Sequence, residues 1–293
     1  MLRNRRTRRF RTDTPVALLF LTPSLIGFAV FYLFPFGAGF LYSLLDSPSH
    51  GTFVGLDNYR QLLQSASFRK AAANTAIFTG VGVPLAMSLA LGLALLLNRS
   101  LPLRAGLRAA FVLPLVVPVA SIVLLWQLLF DAQGAVNALV AGWGGAPVDW
   151  MHSPWARLVV MLVFLWKTAG YNMILFLAGL QNIPDSYYEA ASIDGAGRLR
   201  QFFSITLVYL TPTAFFVLTM SIVQSFKVFR ETYLIAGDYP HDSIYMLQHY
   251  MNNMFQSLDY QKLTSASFLM AAGIVLLVAV LLRIERRFQA YTE

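Results

Sequence analysis

The sequence predicts an all-α polytopic membrane protein with six transmembrane helices and both chain ends in the cytoplasm. Of the 293 residues, 57% are hydrophobic and 12% are charged, a balance too apolar for a soluble chain of this length. The charges are also unevenly spread and leave five long runs without Asp, Glu, Lys or Arg. The third observation is the distribution of basic residues, which indicates the orientation.

The positions of the six helices follow from these runs. The charge-free runs cover residues 14–45, 71–98, 109–130, 201–226 and 263–282. A sixth apolar stretch, from Leu158 to Leu180, is interrupted by Lys167 alone. Because about 20 mostly apolar residues cross the bilayer core as a helix, each stretch is long enough. We predict spans at residues 16–42, 72–97, 109–130, 157–180, 203–226 and 264–282.

The N-terminus reads MLRNRRTRRFR, with six arginines in eleven residues. A cleaved signal peptide would have a shorter apolar core, whereas the run that follows here is long and contains Pro23 and Pro35. We therefore predict a basic cytoplasmic tail (1–13) and an uncleaved first helix (14–45). A net charge of +8 could suggest nucleic acid, but no basic globular domain follows the tail, so no nucleic-acid partner is predicted.

The basic residues favour an N-in, C-in orientation. The tail, NRSLPLRAGLR, the loop 181–203 and RIERRF hold 6, 3, 2 and 3 Lys or Arg, which is 14 of the 22 in the chain. The predicted outer segments hold 6, and the remaining two are Arg157 and Lys167. Since cytoplasmic loops carry the excess of basic residues, the bias indicates this orientation and a cytoplasmic C-terminal tail (284–293).

Three outer segments are predicted. The loop 46–70 contains LDNYRQLLQSASFRK, whose apolar spacing predicts a short interfacial helix. The segment 132–148 is uncharged, but it is too short and too rich in glycine to span the membrane. Residues 227–262 form the longest outer loop. Segments of this size suggest an external docking surface, although plain connecting loops would look similar.

Several kinds of chemistry are missing from the sequence. The absence of cysteine excludes disulfides and thiolate metal sites, and no G-x-x-x-x-G-K-[ST] motif is present to hydrolyse ATP. The four histidines, His50, His152, His241 and His249, fall in predicted outer loops without an H-x-x-x-H pair. We therefore predict no enzyme activity, no catalytic or metal-binding residue and no cofactor in this chain.

Lys167 is the charge that the sequence places inside a predicted span. Intramembrane charges are costly and mark a pathway or a paired site by default, and Trp166, Tyr171 and Asn172 lie nearby in FLWKTAGYNMILF. Aromatic faces and hydrogen-bonding groups suit a sugar-sized polar ligand. We predict a substrate pathway of Lys167, Tyr171, Asn172 and, near the outer end of helix five, Gln224. A structurally paired or snorkelling lysine remains an equal alternative.

No carboxylate lies inside any of the predicted spans. A proton- or sodium-coupled carrier often needs such a group, so its absence counts against secondary transport. An ion-coupled carrier or channel acting without an ATPase stays open as the alternative function, and a membrane-embedded enzyme or assembly factor is a weaker one.

A polar stretch, YYEAASIDGAGR, separates two strongly apolar segments. Ser186 and Glu189 have the spacing of a capping box, which predicts about two turns of helix from Tyr187 to Ile193. Gly195 and Gly197 then predict a turn that leads into helix five. Capping explains the glutamate but not Ala190 and Ala191, whose thin helix face suits insertion into a partner's groove.

The segment EAASIDGAGRLRQFFSITLV resembles the EAA motif of binding-protein-dependent ABC importer permeases. That motif reads EAA, three residues, G, nine residues, then I-x-L-P; Glu189 and Gly195 fit, and nine residues separate Gly195 from Ile205. Val208 stands where the family has proline, and Pro212 follows one turn later. The sequence thus predicts that helix five begins with a different bend.

The resemblance extends over nearly the whole chain and is strongest to the carbohydrate-uptake branch, in the first permease subunits of the maltose and glycerol-phosphate type. It rests on LTPSLIGFAVFYLFPFGAGFLYSL, FVGLDNYRQLL, AGLQNIPDSYYEAASIDGAG and SASFLMAAGIVLLVAVLLRIERRF. One departure is LIAGDYP, where such subunits often have threonine, two glycines and proline. The resemblance implies a type I importer transmembrane domain with a core at 71–283 that contains the coupling loop 181–203.

Membership would also imply partners. A second permease subunit would complete the pathway, and a dimer of cytoplasmic ATPase subunits would hold ATP and Mg. An external solute-binding protein would deliver a sugar or oligosaccharide to this multi-pass protein of the bacterial inner membrane. The residues that the resemblance assigns to coupling with the ATPase are Glu189, Ala190, Ala191, Asp194 and Gly195.

Overall fold

The computed structural model describes residues 5–47, 51–99 and 102–289. The ends of both predicted tails, residues 1–4 and 290–293, and His50 lie outside the described residues. The described chain folds into helices, with one isolated β-bridge between Leu45 and Phe53. The prediction of an all-α protein is therefore confirmed.

Six helical segments of the described chain are long and apolar enough to cross a membrane, as the sequence predicts. They are Pro15–Ser43, Ala66–Leu97, Val119–Gly142, Ala156–Gln181, Arg198–Ala236 and Tyr260–Phe288. Four of them closely match the predicted spans. The third and the fifth differ from the predicted spans, and the fifth extends further towards the C-terminus than predicted.

The first segment is one nearly continuous helix. α1 (Arg5–Phe28) passes through a π-helical turn (Ala29–Leu33) into α2 (Phe34–Ser43). The helix begins at Arg5, so it includes most of the predicted tail 1–13. Large apolar side chains of this segment are exposed along its length, as expected for contact with lipid.

The predicted interfacial helix is present but shorter than expected. α3 (Asp57–Gln64) ends at Ser65, whose hydroxyl accepts the Phe68 N–H and caps the next helix, α4 (Ala66–Leu97). The SASFRK part of the predicted interfacial helix therefore belongs to the second span. The serine cap accounts for the break because it satisfies a free N–H of the new helix.

The third predicted span, 109–130, is wrong as a single helix. The structure forms α5 (Arg104–Val116) and α6 (Val119–Phe130), separated by an extended Val117 before Pro118. Proline disfavours helical conformation in the preceding residue, which explains the break. A short α7 (Ala135–Gly142) then lies in the segment that was predicted not to span.

α8 (Ala156–Gln181) is the central helix and packs against α4, α5 and α11. It is followed by α9 (Asp185–Ile193) and α10 (Arg198–Gln201). A π-helical turn (Phe202–Thr206) then leads into α11 (Leu207–Phe226). This turn ends two residues before Val208, which stands where the motif has proline.

The predicted outer loop 227–262 is mostly helical and well packed. It contains α12 (Phe229–Ala236), a 3-10 turn (Asp242–Ile244) and α13 (Leu247–Gln256), and α14 (Tyr260–Gln289) follows. α12 packs against α6, while α13 packs against α4 and α14. The predicted end of the fifth span at residue 226 is too early, because the apolar helical segment extends to Ala236 and includes α12.

Candidate functional site

A cavity of about 460 Å³ lies where α8, the end of α11, the start of α12 and α13 meet. Its wall combines apolar surface with several charged and amide side chains. The polar lining residues are Lys167, Thr168, Gln224, Lys227, Arg230, Glu231 and Gln248. The volume and the mixed lining are those of a site for a small polar molecule.

An ion pair joins the two sides of this cavity. The Lys167 ammonium on α8 donates to the carboxylate of Glu231 in the first turn of α12. Glu231 is only 5% exposed, so the lysine is its charge partner in a nearly dry environment. Sequence analysis left two interpretations of Lys167 open, a pathway residue and a structurally paired lysine. In the structure Lys167 is paired and also lines a cavity.

Glu231 corrects one step of the sequence argument. A buried carboxylate is present after all, on a helix that the sequence predicts as an outer loop. The missing carboxylate therefore no longer counts against an ion-coupled carrier.

The structure separates the four predicted pathway residues into two groups. Lys167 and Gln224 line the cavity, whereas Tyr171 and Asn172 are not among its lining residues. Asn172 is fully buried, and its amide donates to the Ser221 hydroxyl of α11 at 2.9 Å. Asn172 thus connects two helices in this conformation, and Tyr171 lies half-buried one residue away.

Sequence reasoning missed five polar lining residues, namely Thr168 on α8 and Lys227, Arg230, Glu231 and Gln248. The last four come from the segment predicted as an outer loop. One signal was available, because the apolar segment TYLIA follows the charged KVFRE and indicates a packed helix rather than a loop.

A histidine packs directly behind the cavity wall. The ring of His249 on α13 lies edge-on to Phe229, a lining residue, with ring centroids 4.8 Å apart. His249 is fully buried, and this burial lowers its pKa from 6.5 to about 4 because a charged imidazole loses its hydration there. The ring is therefore neutral at physiological pH.

The second candidate site is the polar stretch between α8 and α11. α9 and the turn after it form as predicted, and Gly195 has the left-handed conformation (φ +77°) that favours glycine. The predicted capping box is wrong, because the helix starts at Asp185 and no side chain caps it. Ser186 is already inside the first turn, where the Asp185 carboxylate complements the helix dipole.

α9 is fixed to the helices that follow it. The Tyr188 hydroxyl lies 2.9 Å from that of Thr206, and the ring of Tyr187 stacks on Tyr209 with centroids 5.0 Å apart. The Gln201 amide donates to the Ser192 hydroxyl. These contacts join α9 to α10, to the π-helical turn and to the start of α11.

The predicted coupling residues lie on and just after this anchored helix. Glu189, Ala190, Asp194 and Gly195 are exposed, and Ala191 is half-buried. Ile193 is 88% exposed, although it is a large apolar side chain in a regular helix. One face of α9 thus contacts the helices that follow it, and the other face is exposed.

Comparison with known proteins then identifies the family. Residues 82–290, most of the chain, match the family described as binding-protein-dependent transport system inner membrane component. The chain belongs to this family. It is a permease subunit of a bacterial ABC importer, located in the inner membrane, and not an enzyme.

Individual relatives and a solved structure agree with this assignment. The sulfoquinovosyl glycerol transport system permease of Agrobacterium fabrum is 32% identical over 94% of this chain and 91% of its own length. The arabinooligosaccharides transport system permease of Bacillus subtilis is 32% identical over 93% of this chain and 87% of its own. A bacterial alginate ABC transporter, solved with an alginate pentasaccharide-bound periplasmic protein, has the same fold with a TM-score of 0.82, 22% identity and 96% coverage of both chains.

These comparisons confirm the resemblance to importer permeases of the carbohydrate-uptake branch and the type I fold. They also provide a separate argument against an ion-coupled carrier. Family members are subunits of ATP-driven importers rather than independent carriers.

Proposed function

We propose that this permease carries a sugar or oligosaccharide, delivered by an external solute-binding protein, through a pathway that it forms with a second permease subunit. A cytoplasmic ATPase dimer would drive the cycle by docking on α9. The relatives named for sulfoquinovosyl glycerol and arabinooligosaccharides support a carbohydrate cargo, and the alginate transporter supports delivery by a binding protein.

The observation that carries the proposal is the geometry of α9. The chain has no P-loop, so ATP hydrolysis that drives import would take place on another subunit. A short helix that is anchored on one side and exposes Ile193 and Glu189 on the other is suited to receive that subunit. Ala190 keeps the exposed face thin enough for a groove.

The anchoring contacts supply a route for coupling. When the ATPase pair closes on ATP, α9 would move with it, and the contacts of Tyr187 and Tyr188 would pass the movement to α11. Because the cavity lies at the other end of α11, beside Gln224 and Lys227, this helix connects the dock with the pathway. Rigid-body switching of packed helices is a known way to transmit such a signal.

The test is Glu189→Lys in the complete importer, reconstituted with its second permease, ATPase and binding protein. We expect the variant to insert normally but to retain less ATPase on purification and to lose at least about tenfold of its ATP-driven sugar uptake. One reversed charge at a contact corresponds to roughly that factor. Asp57→Lys, an exposed carboxylate in the first turn of α3, is the matched control and should keep both activities.

Unimpaired ATP-driven uptake by Glu189→Lys would contradict the docking role. Sugar uptake that persists in vesicles without any ATPase would instead favour the ion-coupled carrier.

A further inference from the structure

The cavity between α8 and α12 carries more positive charge than its own carboxylate can balance. We propose that it binds the acidic group of an anionic carbohydrate, with Lys227 and Arg230 as the charge partners of a carboxylate, sulfonate or phosphate. This inference rests on the proposed function only in that the cargo is a carbohydrate.

The charges on the wall can be counted. Lys167, Lys227 and Arg230 contribute three positive charges and Glu231 one negative charge, which leaves a net charge of +2. Glu231 is engaged by Lys167. Lys227 and Arg230 form no ion pair or side-chain hydrogen bond with any part of the chain that the structure describes.

The two cations lie three residues apart at a helix junction. Lys227 directly follows the end of α11, and Arg230 is the second residue of α12. The first turn of α12 also forms part of the cavity wall, and no side chain caps it. A helix N-terminus adds a partial positive charge, and a guanidinium can hold a carboxylate through two parallel hydrogen bonds.

The remaining polar groups suit the rest of a sugar. Gln224 and Gln248 line the cavity and are half-buried, and their side-chain amides make no hydrogen bond within the described residues. Their amides can donate to and accept from hydroxyl groups. Lys227 and Arg230 are exposed and stay hydrated without a ligand, so an acidic sugar gains charge partners on this wall that a neutral sugar does not.

The test compares matched neutral and acidic disaccharides on the complex of both permeases and the ATPase in nanodiscs. Leaving out the binding protein makes the measured affinity that of the membrane cavity. The probes are cellobiose with cellobiouronic acid and galactobiose with digalacturonic acid. We expect the acidic member of at least one pair to bind about tenfold or more tightly than its neutral partner, and this preference to weaken as salt rises.

The double variant Lys227→Gln, Arg230→Gln should lose the preference while it keeps the affinity for the neutral sugars. Arg60→Gln removes an exposed charge from α3, away from the cavity, and should keep the preference. Equal or weaker binding of the acidic member in every pair, including no binding at all, would overturn the inference, as would a preference that survives in the double variant.

A separate uptake measurement distinguishes failure of the anionic-site inference from failure of the proposed importer function. ATP-driven uptake of a neutral sugar without any preference for anions overturns the anionic site but leaves the carbohydrate importer intact. Absence of ATP-driven uptake for every sugar overturns the importer itself.

Discussion

At the scale of single residues, the Lys167–Glu231 ion pair holds α12 against α8. Glu231 is buried, and Lys167 is about three-quarters buried, so the loss of either partner leaves a charge with little water around it. We expect Lys167→Met and Glu231→Gln each to lower the free energy of unfolding by roughly 2–4 kcal/mol, the lower end for buried pairs, because Lys167 retains some solvent contact. Thermal unfolding of the purified permease in detergent measures this loss.

The double variant Lys167→Met, Glu231→Met provides the internal control. It leaves no unpaired charge and should recover most of the stability that either single change removes. Lys70→Met breaks a more exposed pair with Asp242 at 2.9 Å and should cost about 1 kcal/mol or less. Additive losses in the Lys167 and Glu231 cycle would show that the two residues do not stabilise each other.

His249 makes the stability of the α12–α13 region depend on pH. Its folded pKa of about 4 lies below the ordinary 6.5, so between these values the unfolded chain binds a proton that the folded chain does not. Stability is therefore complete above about pH 6.5 and falls as the pH drops toward 4. The nearby charge of Asp238 opposes this effect, but it is weaker than burial.

We expect the melting temperature of the permease to fall between pH 7 and pH 4.5, by an amount that corresponds to at most about 3 kcal/mol. His249→Gln cannot take up the proton and should show a flatter profile. An identical pH profile in the two proteins would rule out His249 as the source.

At the scale of helices, the packing of α5 on α8 depends on one glycine. A Cβ atom at Gly170 would lie 1.8 Å from the carbonyl oxygen of Phe111 in α5, so the two backbones touch where no larger residue fits. Gly170→Ala should separate the helices and destabilise the fold by about 2 kcal/mol or more, the range of overpacked cores. Gly80→Ala in α4 has no atom within 4 Å and should be neutral or slightly stabilising.

Thermal unfolding of both glycine variants checks this prediction. The added methyl group has the same chemistry at the two positions, so a difference between the variants comes from the packing around it. Equal stability would mean that α5 can shift away from α8 without cost.

The sequence predicts an element when the residues that determine it are close together in the chain. The central span α8 and the turn at Gly195 follow from the composition and order of nearby residues, and both agree with the structure. The pairing of Lys167 with Glu231 joins positions 64 residues apart, and no local pattern reveals it. The start of α9 was misplaced because several polar residues there, including Asp185 and Ser186, can begin a helix.

The same contrast applies to the candidate sites. The coupling loop 181–203 is continuous in sequence, so local signals predict its helix and its turn, although not the residue at which the helix starts. The cavity is assembled from α8, α11, α12 and α13, and the sequence supplied only Lys167 and Gln224 of its polar wall. The prolines at 114 and 118 were visible, but which of them breaks the third span depends on packing: Pro114 stays inside α5, and the break lies at Pro118.

At the scale of the whole molecule, the direction of transport depends on which side of the membrane each site faces. Charge counting predicts α9 in the cytoplasm and α7 outside, and this orientation is open to a direct measurement. The chain contains no cysteine, so a single introduced cysteine reports one position without background. Ile193, at the end of α9, and Trp143, just after α7, are each 88% exposed and make a matched pair.

We expect Ile193→Cys to react with a membrane-impermeant maleimide in inside-out vesicles but not in spheroplasts, and Trp143→Cys to show the reverse pattern. Because the two side chains are equally exposed, a difference in labelling reflects the membrane barrier rather than local access. Labelling of Ile193→Cys from the outside would invert the proposed topology and remove α9 as a cytoplasmic dock. Labelling of both positions from one side would mean that the number of membrane crossings between them is even, which would contradict the single crossing by α8.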